Sequence, residues 1–443
     1  MKLSRRFATA LPIALATSFV APSVFATEAR IRSMGGGFKL WTIEDESNIF
    51  DFPSLLTRWG NRAYIDNLQP GSNNGELFPE GRFGFHYNLS DDTVLAFIGA
   101  HSDTSSRGQS SGYVPTGNAI TGGQAMGIAL QAALASGTGG GTDALLTSEF
   151  RYGVMFATTL GATTRLGVQL SISGDNADVD SPNNVQVDQG SFLMDLGLGL
   201  GFDLDGSELE LAAGVEIGVL EDNRDAAEAT TGVPGDLLEH WSGSHLGIRL
   251  NGRWTFDFFD QTKIVAYTQF LYGSQSLELV NTASIPAERG SYSGLRFSLG
   301  ADLRIEPFQD VIVSPGLGIF IAQQTIESPA VVDRDADQLL ALPYYGIAVD
   351  VKLADWFDLR FGAQQFIVSE RLSTTAGGVT NTSEETNVNT TFALGVGFNI
   401  PVSESQLAID LALNPTFLTN GPHVLTGNST GPFALNAAVR YNW

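Results

Sequence analysis

From about residue 82 to the C-terminus, apolar side chains fall on every second position in one segment after another. In 189–204, Phe192, Met194, Leu196, Leu198, Leu200, Phe202 and Leu204 share one face, while Asp195, Gly197, Gly199, Gly201 and Asp203 share the other. In 246–258, Leu246, Ile248, Leu250, Trp254, Phe256 and Phe258 stand against Arg249, Asn251, Arg253 and Asp257; 295–305 and 386–400 repeat the pattern. A period of two is what a pleated strand with one apolar face produces. It predicts strands at 82–90, 93–103, 145–160, 164–175, 189–204, 208–220, 243–258, 262–279, 290–306, 311–328, 338–353, 357–373, 386–400, 406–419 and 430–443. If both ends lie on one side of a membrane the number must be even. Segment 60–68, with Ala63-Tyr64-Ile65, then supplies the sixteenth strand; fourteen result if the first short pair belongs to a plug.

Three features turn the alternation into an all-β, transmembrane, antiparallel up-and-down barrel rather than a soluble sandwich. Many strands are long enough to cross a bilayer at a tilt, for which about nine to eleven residues suffice. Connections alternate between short polar turns (Ser90-Asp91-Asp92, Gly161-Ala162-Thr163, Asp205-Gly206-Ser207, Asp260-Gln261, Gln309-Asp310) and longer loops such as 221–242 and 374–385. That asymmetry matches periplasmic turns and extracellular loops. Finally, Phe433 to Trp443 alternates to a terminal aromatic, and Tyr441 and Trp443 resemble the β-signal read by the barrel assembly machinery. The polar faces carry Arg151, Arg165, Glu210, Glu216, Arg249, Arg253, Arg296, Asp302, Arg304, Asp350, Lys352, Arg360, Asp410 and Arg440. Each would cost roughly 2–4 kcal/mol facing lipid at mid-bilayer, so these faces are expected to line the lumen, as a solute path or as structural salt-bridge ladders.

Composition fixes the setting. Lys2, Arg5 and Arg6 precede a mostly apolar run from Phe7 to Val20, and Val24-Phe25-Ala26 suits cleavage after Ala26, so 1–26 reads as a signal peptide. The Arg5-Arg6 pair raises the twin-arginine route, but a barrel must arrive unfolded, which favours the ordinary secretory route. The destination is the outer membrane of a Gram-negative cell, with its lipid and lipopolysaccharide as surroundings. No later stretch is long and apolar enough for a spanning helix. There is no cysteine, which removes disulfides and thiolate chemistry. The formal charge of −24 becomes −27 once the three signal-peptide cations are gone, which disfavours nucleic acid as a partner.

Residues 27–59 break the strand pattern. They contain Arg32-Ser33-Met34-Gly35-Gly36-Gly37, then Glu44-Asp45-Glu46-Ser47-Asn48-Ile49-Phe50-Asp51-Phe52-Pro53-Ser54. This segment, with the general barrel pattern, resembles the FadL-type family of outer-membrane hydrophobic-compound transporters. The family's members often open on a Met-Gly-Gly-type motif followed by an acidic residue and an Asn-Pro stretch. Here Asn48-Ile49-Phe50 and Phe52-Pro53-Ser54 hold that place without an adjacent Asn-Pro pair. The resemblance implies that Met34, Gly35, Gly36, Asn48, Phe50, Phe52 and Pro53 belong to a plug inside the barrel, displaced when a small, hydrophobic solute binds. The alternatives are a periplasmic strap, an open diffusion porin, and a non-transport barrel whose loops serve adhesion or assembly.

Smaller signals remain. Pro315, Pro343 and Pro415 fall within strands, where a missing N–H marks a bulge or interruption. In loop 104–144, Met126, Ile128, Leu130 and Leu134 read as a short apolar helix, a candidate constriction at the mouth. The clusters Asp175, Asn176, Asp178, Asp180 and Asp333, Asp335, Asp337 lack the distal Glu of a calcium loop and read as solvated charge, so no metal is expected. The histidines are His86, His101, His240, His245 and His423; none stands in a catalytic motif, and neither an enzyme nor a cofactor is expected.

Overall fold

In the computed structural model, residues 28–34, 43, 45–68, 80–102, 150–180, 185–226, 237–280, 289–327, 333–376, 379–413 and 434–443 are described. The expected signal peptide, Gly35, Gly36, Pro415, His423 and the helix around Met126–Leu134 lie outside them. The chain enters with a short helix, α1 (Glu28–Ser33), and two 3₁₀ turns, Glu46–Phe50 and Pro53–Arg58. The strands follow: β1 (Arg62–Leu68), β2 (Glu80–Ser90), β3 (Thr93–Ser102), β4 (Phe150–Leu160), β5 (Thr164–Asp180), β6 (Val185–Leu204), β7 (Ser207–Ala226) and β8 (Leu237–Phe259). Then come β9 (Thr262–Val280), β10 (Arg289–Phe308), β11 (Val311–Glu327), β12 (Asp333–Ala354), β13 (Phe357–Ala376), β14 (Val379–Val402), β15 (Ser405–Leu413) and β16 (Ala434–Asn442).

Every strand pairs antiparallel with its sequence neighbours, and β1 pairs β16, so sixteen strands form a closed barrel. At the seam Ala63 faces Tyr441 and Ile65 faces Val439. One end of the barrel is laced tightly. Turn carbonyls there accept from the next hairpin: Thr159 N–H donates to Asp92, Asp203 to Thr163, Asp257 to Gly206, Glu306 to Gln261, Lys352 to Asp310 and Asn399 to Trp356. Trp443 N–H continues the series by donating to Asn61 at 3.1 Å, which ties the last residue across the seam. Aromatics crowd the outer surface at this end, with Phe85 and Trp443 at 5.3 Å, Phe357 and Phe398 at 5.5 Å, and Trp254 and Phe256 at 4.9 Å. An aromatic girdle belongs where hydrocarbon meets headgroups.

The pleat sends Leu196, Leu198, Leu211, Val215, Leu250 and Phe361 outward, where they are exposed on the single chain, as a lipid-facing surface requires. Among the described residues, β1–β4, β15 and β16 run 7 to 11 residues, and β5–β14 run 17 to 24. The extra length corrects two loop boundaries. Residues 374–385 continue the β13–β14 ladder up to Ala376 facing Val379, and β7 and β8 reach well into 221–242. The polar run 380–385 (Thr-Asn-Thr-Ser-Glu-Glu) has no apolar face, so alternation could not mark it as strand; a paired neighbour suffices outside lipid. For β15 the described residues run to Leu413, and the rest of the expected 406–419 lies outside them. Pro343 lies at a bulge of β12, between Ala341 and Tyr344, whereas Pro315 keeps the register with Ile347 while Leu303 and Arg304 drop out of the ladder with β11.

Two-residue hairpin turns need positive φ to match the strand twist, and Gly206 sits at φ 71 with open space around its Cα. Gly206→Ala should therefore lower stability by about 1 kcal/mol through backbone strain alone. Urea unfolding in detergent micelles measures this, with the folded form scored by heat-modifiable gel mobility.

Candidate functional site in the barrel lumen

The lumen is occupied by the N-terminal segment, which meets the wall in two different ways. In 45–59 the local fold follows from its polar punctuation. The Asn48 side chain donates to the Ile43 carbonyl at 2.9 Å, the Asn48 carbonyl accepts from Phe52 N–H at 2.8 Å, and Pro53 opens the second 3₁₀ turn where its missing N–H costs nothing. This brings Ile49, Phe50, Phe52, Leu55, Leu56 and Trp59 into one buried cluster with Val94, Ala96 and Ile98 of β3, Met155 and Ala157 of β4, Tyr267 of β9 and Tyr344 of β12. Strands β9 and β12 stand across the lumen from β3 and β4. The segment is thus the centre of a dry core inside the barrel, and each large apolar side chain so buried contributes roughly 1.5–3 kcal/mol.

The opposite side of 45–59 rests on a bare stretch of wall. The backbone of Pro53 and Ser54 lies directly on Gly167 of β5 and Gly199 of β6. A Cβ on Gly199 would stand 2.8 Å from the Ser54 nitrogen, and one on Gly167 would collide with the Pro53 carbonyl. Charges flank this seat. Ser54 Oγ donates to Glu210 at 2.5 Å, Arg58 pairs with Glu208, and Asn251 donates to the Asp51 carbonyl at 3.2 Å. The Arg253 guanidinium lies 5.5 Å from the centre of the Phe52 ring. Arg165 gathers the surrounding carboxylates, at 2.6 Å from Asp203, 2.7 Å from Glu208 and 2.6 Å from Glu210.

Helix α1 makes the second contact, on the wall formed by β12–β16 and β1. Arg30 pairs with Asp350 of β12 at 2.6 Å, and Ser33 Oγ donates to the Arg30 carbonyl at 2.5 Å. Met34 is buried with Ile43 and Ala348. Its backbone sits on Gly362 of β13, and Ser33 sits on Gly395 of β14, again where a Cβ would collide. Arg360 ties Asp410 at 2.5 Å, Asp358 at 3.2 Å and Asp350 at 3.4 Å, so the carboxylate that holds α1 is itself part of a wall network.

The remaining residues singled out from the sequence take these places. Arg249 and Arg440 are fully buried, and Arg249 lies across Gly214 and Gly197, 3.8 Å from Asp195. Glu216 pairs with His245 at 2.7 Å, Asp302 is buried beneath Gly316, Arg296 donates to Ser298 at 3.2 Å, and Arg304 pairs with Glu306 at 3.0 Å. Lys352 reaches the turn residue Asp355 at 2.8 Å, and Arg151 occupies the register opposite Ala100 and Ser173. Tyr441 and Trp443 are on the outer face, stacked at 6.1 Å. Sequence reasoning did not single out Arg30, Arg58, Tyr267 or Tyr344. The alternate-position glycines of β5, β6, β13 and β14 were a usable signal, because a strand face without side chains can receive another backbone.

No protein-family model matches the chain, and no curated relative matches it. Solved structures of similar shape include the Pseudomonas putida toluene transporter TodX, at 10% identity over 94% of this chain and 98% of that one, with a TM-score of 0.39. A Pseudomonas aeruginosa FadL homologue matches at 12% identity over 94% and 96%, with a TM-score of 0.40. The copper transporter OprC matches at 12% identity over 80% of this chain and 61% of that one, with a TM-score of 0.41. Identities and scores of this size carry no function across, so the reading below rests on the chain's own geometry.

The glycine seat has a direct test. Gly199→Val should force the Pro53–Ser54 backbone off β6 while leaving the outer face unchanged. Limited trypsin digestion should then cut after Arg58 at least tenfold faster, with heat-modifiable mobility retained. Gly252→Ala, on the lipid face where the added Cβ would stand 3.2 Å from the Thr268 side chain, should leave cleavage as in the parent.

Proposed function

We infer that the chain moves small solutes, hydrophobic compounds among them, across the outer membrane through a barrel that residues 27–59 close at rest. The observation that supports this best is the position of Ile49, Phe52 and Leu56, which are wholly buried between inward-facing side chains from opposite walls. A free-diffusion pore needs continuous water from mouth to mouth, and an apolar cluster that joins β3 and β4 to β9 and β12 across the lumen interrupts it. Passage therefore requires part of the segment to shift.

The energetics favour movement of the polar contacts before the apolar ones. The cluster around Phe52 loses burial if it opens, whereas the Arg30, Ser54 and Arg58 contacts, each worth about 1.5–3 kcal/mol as charge-assisted hydrogen bonds, can be re-formed with water as the segment shifts. The residues that would carry gating are accordingly Arg30, Asp350, Ser54, Glu210, Arg58 and Glu208.

Planar-bilayer conductance of the mature protein, with and without 27–59, tests the closure. The intact protein should be silent apart from rare openings, and the shortened one should conduct. Stable large openings in the intact protein would mean a general porin instead, and silence in both an occluded barrel. Arg30→Gln removes a charge-assisted hydrogen bond of about 1.5–3 kcal/mol. Its open probability should rise about ten- to hundredfold in the same recording.

A further inference from the structure

Among the buried side chains, His86 combines full burial with an unbalanced set of partners. It points inward from β2, directly opposite Arg62 of β1 in the strand register, and its solvent exposure is zero. Its Nδ1 is 2.8 Å from the Trp59 carbonyl, the residue that ends the second 3₁₀ turn. A carbonyl only accepts, so Nδ1 carries the proton. No hydrogen-bond partner for Nε2 lies among the described residues. Three groups face the ring: Glu46 Oε1 at 3.3 Å from Nδ1, Arg62 beside it, and Tyr64 edge-on at 5.5 Å between centroids. On the other side, Ala96 of β3 stands opposite in the register.

We propose that His86 is a proton-sensitive joint between the N-terminal segment and the barrel wall, which releases residues 45–59 when the periplasm turns acidic. The neutral ring fits, because one N–H meets one carbonyl. A second proton can go only to Nε2, where it creates a buried N–H without an acceptor and a second cation next to Arg62. Both are penalised in a water-poor site. Glu46 cannot balance two cations at once. It lies 3.6 Å from Arg62, and that arginine also covers the Trp59 ring at 4.7 Å. A charged His86 therefore competes for the Glu46 carboxylate that pairs with Arg62, and Arg62 and Trp59 loosen together. Exposure of the ring to water relieves all of these penalties, so the proton favours the detached state. The sign follows: attachment is full while the ring is neutral and weakens as pH falls through the ordinary histidine range near 6.5. With one proton involved, the detached fraction rises by at most about tenfold per pH unit.

This regulation rests on the closed-lumen reading, and its test does not depend on conductance. The chain has no cysteine, so nitroxide labels at Thr57→Cys on the segment and Ser90→Cys on the rim report a single distance by pulsed electron resonance. Between pH 7.5 and pH 5 the distribution should shift or broaden in the parent and stay fixed in His86→Gln, whose amide can still donate to Trp59 but cannot titrate. Glu46→Gln, which removes the facing carboxylate, should move the shift to higher pH. His245→Gln, at the other buried histidine, should respond as the parent does. An unchanged distance in the parent, or a shift that persists in His86→Gln, overturns the proposal. If labels move with pH but no variant ever conducts, the joint stands and the transport reading fails.

Discussion

Hydrocarbon gives a peptide group nothing to bond to, and each unsatisfied N–H or C=O there costs several kcal/mol. A strand can cross lipid only if both its edges are paired, and a sheet can do so only if it closes on itself. The rest of this molecule is arranged around that requirement. The first strand must meet the last, and it does so through Ala63 and Ile65 against Tyr441 and Val439. The Trp443 N–H to the Asn61 carbonyl adds one more bond at the seam, at the place where the chain leaves the lumen and becomes wall. Closure also explains why the rim is laced from hairpin to hairpin: the stagger that shuts a barrel leaves each turn carbonyl within reach of the strand beyond it.

Closure creates a second problem, an interior too wide for wall side chains alone to fill. The chain fills it with its own N-terminus, and the wall is differentiated to receive it. Strands β3 and β4 present Val94, Ile98 and Met155 inward, and the segment answers with Ile49, Phe52 and Leu56. Strands β5, β6, β13 and β14 present glycine, so two backbones touch without intervening side chains. Beside each glycine seat stands a charge network centred on an arginine, Arg165 on one wall and Arg360 on the other. Buried ion pairs of this kind contribute little net stability, because desolvation offsets most of their attraction. Their geometry is specific, however, and they can exchange partners. A segment anchored by apolar burial and positioned by exchangeable polar contacts can move in part without leaving the barrel.

The strand order, the sixteen crossings, the short turns and the apolar outer face were legible in the amino-acid sequence, since alternation needs only neighbours along the chain. Leu196, Leu198 and Leu200 declare one face of β6 whatever else the protein does. The end of a strand was less legible where lipid no longer demands an apolar face. The 380–385 run, polar on both sides, is strand because β13 lies beside it. The tertiary structure alone decided which lumen charges meet, because Arg30 and Asp350 are 320 positions apart and no local rule connects them. It likewise decided that Gly167 and Gly199 are seats rather than mere small residues, and that His86, one of five histidines without a motif, sits opposite Arg62 and beneath Trp59. Periodicity reports which face a side chain takes. What that face meets depends on the curvature and register of a closed sheet, which only the folded chain sets.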